Sequence, residues 1–156
     1  MTKIFYDTDL LIALHDSSDI LHVSVKEYWN KMLSYKLQPF LSTNVLLEVL
    51  TIISQRVSKN HSLNLLRELR SGKYIIIHPN EDLISKGEEI FKFIKSKSVS
   101  YSDCLNFAIL KEYSINWVYS FDVHFKKRGF KRFGIDGYPI NTTVGKDRDY
   151  LKKSRR

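Results

Sequence analysis

Short apolar runs alternate along the chain with longer segments in which apolar residues recur at helical spacing. The runs are rich in β-branched and aromatic residues, and they predict strands over residues 3–7, 39–41, 74–78 and 117–121. The helical spacing predicts helices over residues 22–36, 43–57, 62–70, 81–95 and 102–113, and a short helical or turn segment over 8–15. Strands and helices therefore alternate from the first residues onward.

The predicted strands are continuously apolar instead of alternating between apolar and polar residues. Such strands are buried on both faces, which is typical of a parallel sheet covered by helices. We therefore expect an α/β sandwich around a mainly parallel sheet.

The composition is that of one ordinary globular domain, with 43% hydrophobic and 27% charged residues among 156. The single cysteine, Cys104, excludes an internal disulfide framework and a cysteine-based zinc site. Charges interrupt the first apolar run, so we expect neither a signal peptide nor a membrane partner, and we expect a cytoplasmic location.

The net charge of +8 is concentrated at one end of the sequence. Residues 1–125 carry 14 basic and 14 acidic residues, whereas residues 126–156 carry 11 basic and 3 acidic ones. A basic surface attracts polyanions such as RNA. The first basic cluster follows Asp122 and is predicted to bind a polyanion, with RNA as the candidate: Lys126, Lys127, Arg128, Lys131 and Arg132. Residues 141–156 form a basic C-terminal tail, which is equally well explained as a solvated, frayed chain end.

Four carboxylates occupy positions where a parallel sheet binds ligands. Asp7 and Asp122 end predicted strands, Asp103 opens a helix, and Glu48 lies among apolar neighbours. Each also has an ordinary structural explanation, since the aspartates suit helix N-caps or a capping box and Glu48 suits an ion pair. Glu48 is the hardest to explain in this way, because burial of an unpaired carboxylate is costly.

Convergence of these carboxylates on one end of the sheet would require a cation. Like charges at one site repel each other unless they are neutralised. Oxygen ligands select a hard ion, so we expect Mg²⁺ or Mn²⁺, which can activate water and orient a phosphodiester.

Four segments resemble the motifs of PIN domains, in the same order. They are IFYDTDLLIAL with Asp7, STNVLLEVL with Glu48, SYSDCLNFAIL with Asp103, and SFDVHFKKRGF with Asp122. The resemblance spans residues 4–130 and carries over these four carboxylates as catalytic residues and metal ligands.

The resemblance implies a three-layer α/β/α sandwich of about four to five strands and a Mg²⁺- or Mn²⁺-dependent ribonuclease. We place the PIN-like nuclease domain at residues 1–140. Small single-domain members are commonly VapC-type toxins, which cut RNA and are blocked by a small antitoxin. Many members also form homodimers.

Three polar residues next to these carboxylates are further candidates for the site. Thr8 and Ser120 would orient waters or a carboxylate, or else bond to local backbone. Asp9 departs from the family, which often has Ser or Asn there. It either adds charge to the site or caps the following turn, and the cap is favoured.

Two other functions remain open from the sequence. One is a catalytically silent PIN module that binds RNA or the ribosome, since a fold does not fix a function. The other is a haloacid-dehalogenase-like phosphatase, whose Asp-x-Asp motif Asp7 and Asp9 imitate. Leu11 and the lack of a late Gly-Asp-x-x-x-Asp motif argue against the phosphatase.

Overall fold

The computed structural model describes residues 1–140 and contains one sheet of five parallel strands in the order β3-β2-β1-β4-β5. The strands are β1 (Thr2–Tyr6), β2 (Leu37–Ser42), β3 (Ile75–Ile77), β4 (Trp117–Tyr119) and β5 (Lys131–Arg132). The basic segment predicted at 141–156 lies outside the described residues.

Seven helices within residues 1–140 flank this sheet. They are α1 (Thr8–His15), α2 (His22–Met32), α3 (Thr43–Arg56), α4 (Lys59–Leu69), α5 (Glu81–Phe93), α6 (Tyr101–Glu112) and α7 (Val123–Lys127). The predicted three-layer α/β/α sandwich with a mainly parallel sheet is confirmed. No helix in the described part of the chain is long and apolar enough to cross a membrane.

The structure corrects three details of the sequence prediction. Helix α2 ends at Met32, four residues before the predicted end, and α4 begins at Lys59 because the Ser58 side chain accepts a hydrogen bond from the backbone N–H of His61. Helix α7 and strand β5 were not predicted, because elements of five and two residues are too short to show a period.

Strand β1 lies at the centre of the sheet, at the point where the strand order reverses. Strands β2 and β3 extend the sheet on one side of β1, and β4 and β5 extend it on the other. The backbone N–H of Asp7 donates to the carbonyl of Tyr119, which ties the ends of β1 and β4 together at 3.2 Å. Such a reversal point opens a crevice at the carboxyl ends of the strands. The fold therefore places Asp7 at the expected binding edge.

A buried hydrogen bond fixes helix α2 to the sheet. The hydroxyl of Tyr119 donates to the carbonyl oxygen of Val25 at 2.8 Å, and both residues are fully buried. Tyr119 also packs at an angle against Tyr6 and Trp29, so the hydroxyl is held among aromatic rings.

Removal of this hydroxyl should destabilise the fold measurably. We expect Tyr119→Phe to lower the free energy of unfolding by about 0.5–1.5 kcal/mol, the usual net contribution of such a bond. Urea unfolding would measure the loss. The control is Tyr113→Phe at an exposed tyrosine, and equal losses in the two variants would show that the bond to Val25 contributes nothing.

Candidate active site

One pocket of about 230 Å³ at the carboxyl ends of β1 and β4 collects five carboxylates. Its lining residues are Asp7, Thr8, Asp9, Glu48, Ser98, Ser100, Ser102, Asp103, Asn106 and Asp122. All four carboxylates selected from the sequence are present, and Asp9 joins them. We call this space the acidic pocket.

Asp7 is the buried centre of the acidic pocket. It is the N-cap of α1, and its Oδ1 accepts the backbone N–H of Thr8 at 2.9 Å. Its Oδ2 accepts the hydroxyl of Ser120 at 2.7 Å. Burial raises the pKa of Asp7 to about 7; the bonds from Ser120 and Thr8 oppose this rise, and the charges of Asp9 and Asp103 add to it. Burial, and not the repulsion between carboxylates emphasised from the sequence, is the main cause.

Asp103 and Asp122 combine a structural role with a place in the pocket. Asp103 forms a capping box with Ser100, whose backbone N–H donates to Oδ2 at 2.7 Å. Asp122 is the N-cap of α7, and its Oδ1 accepts the backbone N–H of His124 at 2.8 Å. Within residues 1–140, no hydrogen bond occupies Asp103 Oδ1 or Asp122 Oδ2. Each aspartate thus keeps one oxygen available for a ligand.

Glu48 is exposed, so the sequence argument from its burial was wrong. Apolar neighbours surround it in the sequence, but Val45 and Val49 face the core while Leu47 is 63% exposed. Glu48 lies on the outer side of α3 at the rim of the acidic pocket. Its Oε2 accepts the hydroxyl of Thr8 at 2.9 Å, which ties α3 to the start of α1.

Asp9 is a member of the pocket and not the cap that the sequence favoured. Asp7 caps α1, and Asp9 stands in the first turn on the exposed side. The surrounding protein removes enough water from Asp9 to raise its pKa, and the charges of Glu48, Asp103 and Asp122 raise it further. These charges act on Asp9 from three elements that border the pocket, α3, α6 and the N-cap of α7, so the carboxylates share one electrostatic environment.

Thr8 and Ser120 hold carboxylates in place, as the sequence suggested. Thr8 contacts both Asp7, through its backbone, and Glu48, through its hydroxyl. The hydroxyl oxygen of Ser120 accepts the backbone N–H of Asp122 at 3.0 Å while its proton goes to Asp7. Ser120 therefore connects the carboxylate of Asp7 to the backbone of Asp122.

Asn106 is a pocket residue that the sequence analysis missed. It is buried, and its Oδ1 accepts the hydroxyl of Ser42 and the side-chain amide of Asn44, each at 2.9 Å. The signal was its position three residues after Asp103, which places both on the same face of α6. This network joins the end of β2 to the floor of the pocket.

The basic residues predicted to bind RNA divide into two groups. Arg132 donates to both oxygens of Asp136 and to the Phe121 carbonyl, and Lys126 lies 3.3 Å from the same aspartate. These bonds hold the pKa of Asp136 well below its usual range. The geometry favours a structural role for Arg132 over the RNA contact proposed from the sequence.

The other three basic residues of the cluster form no ion pair within residues 1–140. The ammonium of Lys131 lies 5.6 Å from the Trp117 ring, on the edge strand. Lys127 and Arg128 are exposed at the end of α7 and pair with no carboxylate within residues 1–140. Of the predicted cluster, these two are the best placed to meet a polyanion.

The donor chemistry of the acidic pocket suits Mg²⁺ or Mn²⁺. Every polar side chain of the pocket offers an oxygen or an amide. Two carboxyl pKa values are raised by burial and by neighbouring carboxylates, so a cation would stabilise the charged carboxylates. In the described chain, no three His, Cys, Asp or Glu side chains are arranged to enclose an ion. Mg²⁺ does not require such a cage, because it keeps several waters and is commonly held by one or two carboxylates.

Comparison with known proteins was made by sequence and by structure. The sequence profile of the PIN domain matches residues 4–131. The fold is similar to that of VapC20 from Mycobacterium tuberculosis, described as a toxin that cleaves the sarcin-ricin loop. The TM-score is 0.72 at 24% identity, covering 81% of this chain and 95% of that one.

A second similar structure is FitAcB from Neisseria gonorrhoeae. Its TM-score is 0.61 at 16% identity, covering 83% of this chain and 96% of that one. A search of curated proteins found no match. At these identities the two structures show the fold alone.

The raised pKa of Asp7 predicts a specific pH dependence of stability in metal-free buffer. The folded chain holds this proton more tightly than the unfolded chain, whose carboxyl has a pKa of 3.8. The contribution of the protonated Asp7 carboxyl to the free energy of unfolding is complete below pH 3.8. It is lost as the pH rises through about 7, which lowers the free energy of unfolding by about 4 kcal/mol.

Urea unfolding between pH 4 and 8 with a chelator would measure this loss. We expect Asp7→Asn to flatten the decline in unfolding free energy. The control, Asp82→Asn at an exposed carboxyl of α5, should keep the slope of the wild type. A parallel decline in wild type and Asp7→Asn would show that Asp7 is not the titrating group.

Proposed function

The chain belongs to the PIN domain family, and on this basis we propose that it is a metal-dependent endoribonuclease that acts as the toxin of a toxin–antitoxin pair. The acidic pocket is the observation that carries the proposal. Its carboxylates, three of them also used as caps, share one electrostatic environment at the carboxyl edge of the sheet.

We assign the binding of Mg²⁺ or Mn²⁺ to Asp7, Glu48, Asp103 and Asp122. When bound there, such an ion supplies Lewis-acid stabilisation of the phosphodiester and lowers the pKa of water. Asp103 and Asp122 line the pocket, and each has one carboxyl oxygen that no hydrogen bond occupies within residues 1–140. Asp9 adds negative charge at the rim and extends the field that attracts the cation.

The chain's own residues hold the site ready for hydrolysis. Ser120 and Thr8 fix both oxygens of Asp7 through hydrogen bonds, so this carboxylate cannot rotate away when its charge changes. At neutral pH without a cation, the raised pKa lets Asp7 hold a proton for part of the time. The hydroxyl of Thr8 holds Glu48 at the pocket rim, where solvent and substrate enter.

The biological setting is proposed from the family resemblance. We propose RNA as substrate, a small antitoxin as inhibitor and a homodimer as the functional form, in the cytoplasm. The likeness in fold to VapC20 supports the toxin assignment. The family match leaves the haloacid-dehalogenase-like phosphatase without support, although Asp7 and Asp9 do lie in one pocket.

A second candidate is a silent module that binds RNA or the ribosome. It is favoured by Lys127 and Arg128, which are exposed and pair with no carboxylate within residues 1–140, because such binding requires cations and no metal in the acidic pocket. RNA affinity without cleavage in either Mg²⁺ or Mn²⁺ would establish the silent module and exclude the enzyme.

Substitution of the carboxylates should abolish cleavage without unfolding the chain. We expect Asp7→Asn, Glu48→Gln and Asp103→Asn each to reduce the rate of RNA hydrolysis about a hundred-fold or more. Asp122→Asn should be the most tolerant, since a carboxylate at the edge of such a site can act through water. Gel assays on a mixed RNA pool would measure the rates, with circular dichroism to confirm the fold.

Two surface variants, Glu81→Gln and Asp82→Asn, control for the loss of a charge on α5. They should cleave RNA at the rate of the wild type. Near-normal rates in Asp7→Asn or Asp103→Asn would refute the proposed site.

Divalent cations should stabilise the folded chain by binding to the acidic pocket. At about ten times the dissociation constant, we expect Mg²⁺ or Mn²⁺ to raise Tm by about 3–6 °C. The double variant Asp103→Asn/Asp122→Asn should lose most of this shift, and Asp82→Asn should retain it. An unchanged Tm in wild type at millimolar cation and every pH from 6 to 9 would contradict the metal site.

A further inference from the structure

A second, smaller pocket adjoins the acidic pocket beneath helix α7. It has a volume of about 180 Å³ and is lined by Ile94, Ser96, Val99, His124, Lys127 and Arg128. We call it the side pocket. Its volume equals that of about six waters in the liquid, which is enough for one flat ring system but below the size of a typical cofactor site.

The two pockets share a wall. Ser98 lines the acidic pocket, and the next residue, Val99, lines the side pocket. Likewise, Asp122 lines the acidic pocket and His124 lines the side pocket. The Ser98 hydroxyl lies 2.8 Å from Nε2 of His124 across the wall. A ligand with one group in the acidic pocket can therefore place its neighbouring group in the side pocket.

The chemistry of the side pocket changes from its floor to its rim. Ile94 and the buried Val99 form an apolar floor. Lys127 and Arg128 are exposed at the rim, and the guanidinium of Arg128 is positioned 5.5 Å from the Phe107 ring. Apolar floor and cationic rim together match a flat ring that carries an anion, which is the chemistry of a nucleotide.

We propose that the side pocket binds one unpaired nucleotide of the RNA next to the scissile phosphate, with its base on Ile94 and Val99 and its phosphate on Lys127 and Arg128. This inference rests on the proposed function of the acidic pocket. It gives the enzyme a preference for single-stranded segments, because a base that is paired and stacked within a duplex is not available to enter the side pocket.

RNA fits these two pockets better than an acidic peptide does. An acidic peptide would satisfy Lys127 and Arg128 and, like RNA, would need a cation to approach the five carboxylates next door. It would also leave the apolar floor unfilled unless it carried an apolar residue at one fixed place. A nucleotide chain supplies ring and anion at every step.

The experiment compares two labelled probes of equal charge: a six-nucleotide uridine RNA and a six-unit abasic ribose-phosphate chain. Binding is measured by fluorescence anisotropy across a salt series in Ca²⁺, with full-length protein. The wild type should bind the RNA about ten-fold more tightly than the abasic chain, because only the RNA carries a base that can bury apolar surface against Ile94 and Val99.

Two variants separate the base from the phosphate. Ser96→Trp fills the side pocket and should abolish the ten-fold preference for RNA; Ser24→Trp, on the exposed face of α2, controls for the added ring. Lys127→Ser/Arg128→Ser should weaken both probes equally and lower the salt slope by about 0.7 per lost phosphate contact. Lys126→Ser, at the residue paired with Asp136, controls for the loss of one positive charge and should change the slope by less than half as much as the double variant.

The outcomes distinguish this inference from the proposed function. Cleavage of RNA by wild type, with an unchanged base preference in Ser96→Trp, would overturn the side pocket and leave the enzyme intact. Binding that depends on the side pocket, without any cleavage, would support the inference in a silent module. Tight binding of a hexaglutamate peptide through Lys127 and Arg128, with no RNA affinity, would show a peptide site and overturn the nucleotide proposal.

Discussion

Burial of the Asp7 carboxylate among other carboxylates is the constraint on which the site depends. The parallel sheet forces this arrangement, because the end of β1 lies between β2 and β4 and its next residue falls inside the crevice. Two hydrogen bonds, from Thr8 and Ser120, recover only part of the hydration that the charge loses. The remaining imbalance can be relieved by a proton or a cation, and this makes the site responsive to both.

The same residues serve the fold and the site, so neither role excludes the other. Asp7 and Asp122 cap helices that start where strands end, and Asp103 completes a capping box. An N-cap holds a carboxylate by one or two backbone N–H groups, at a helix end whose dipole favours negative charge. Capping therefore provides rigid positions for three carboxylates at one edge of the sheet, with an oxygen of Asp103 and one of Asp122 still available.

Much of the fold and the identity of the pocket residues could be predicted from the sequence. Long apolar runs and helical periods located four strands and six helices, because burial determines both patterns. Exposure of individual residues could not be read in the same way. Glu48 has apolar neighbours but points outward, since rotation about α3 was not fixed by a segment apolar on nearly all sides. Asp9 and Asn106 depend on which helix faces meet, which sequence spacing alone does not determine.

Asp136 pairs with two of the basic residues that follow Asp122 in the sequence. This residue binds Arg132 and Lys126, and so draws two of the cations next to the acidic pocket into a local cluster behind α7. Lys127 and Arg128 stay free at the rim, where no carboxylate within residues 1–140 claims them. The result is an acidic pocket with basic side chains beside it, and under the proposed function a polyanion could approach only after a cation neutralises the carboxylates.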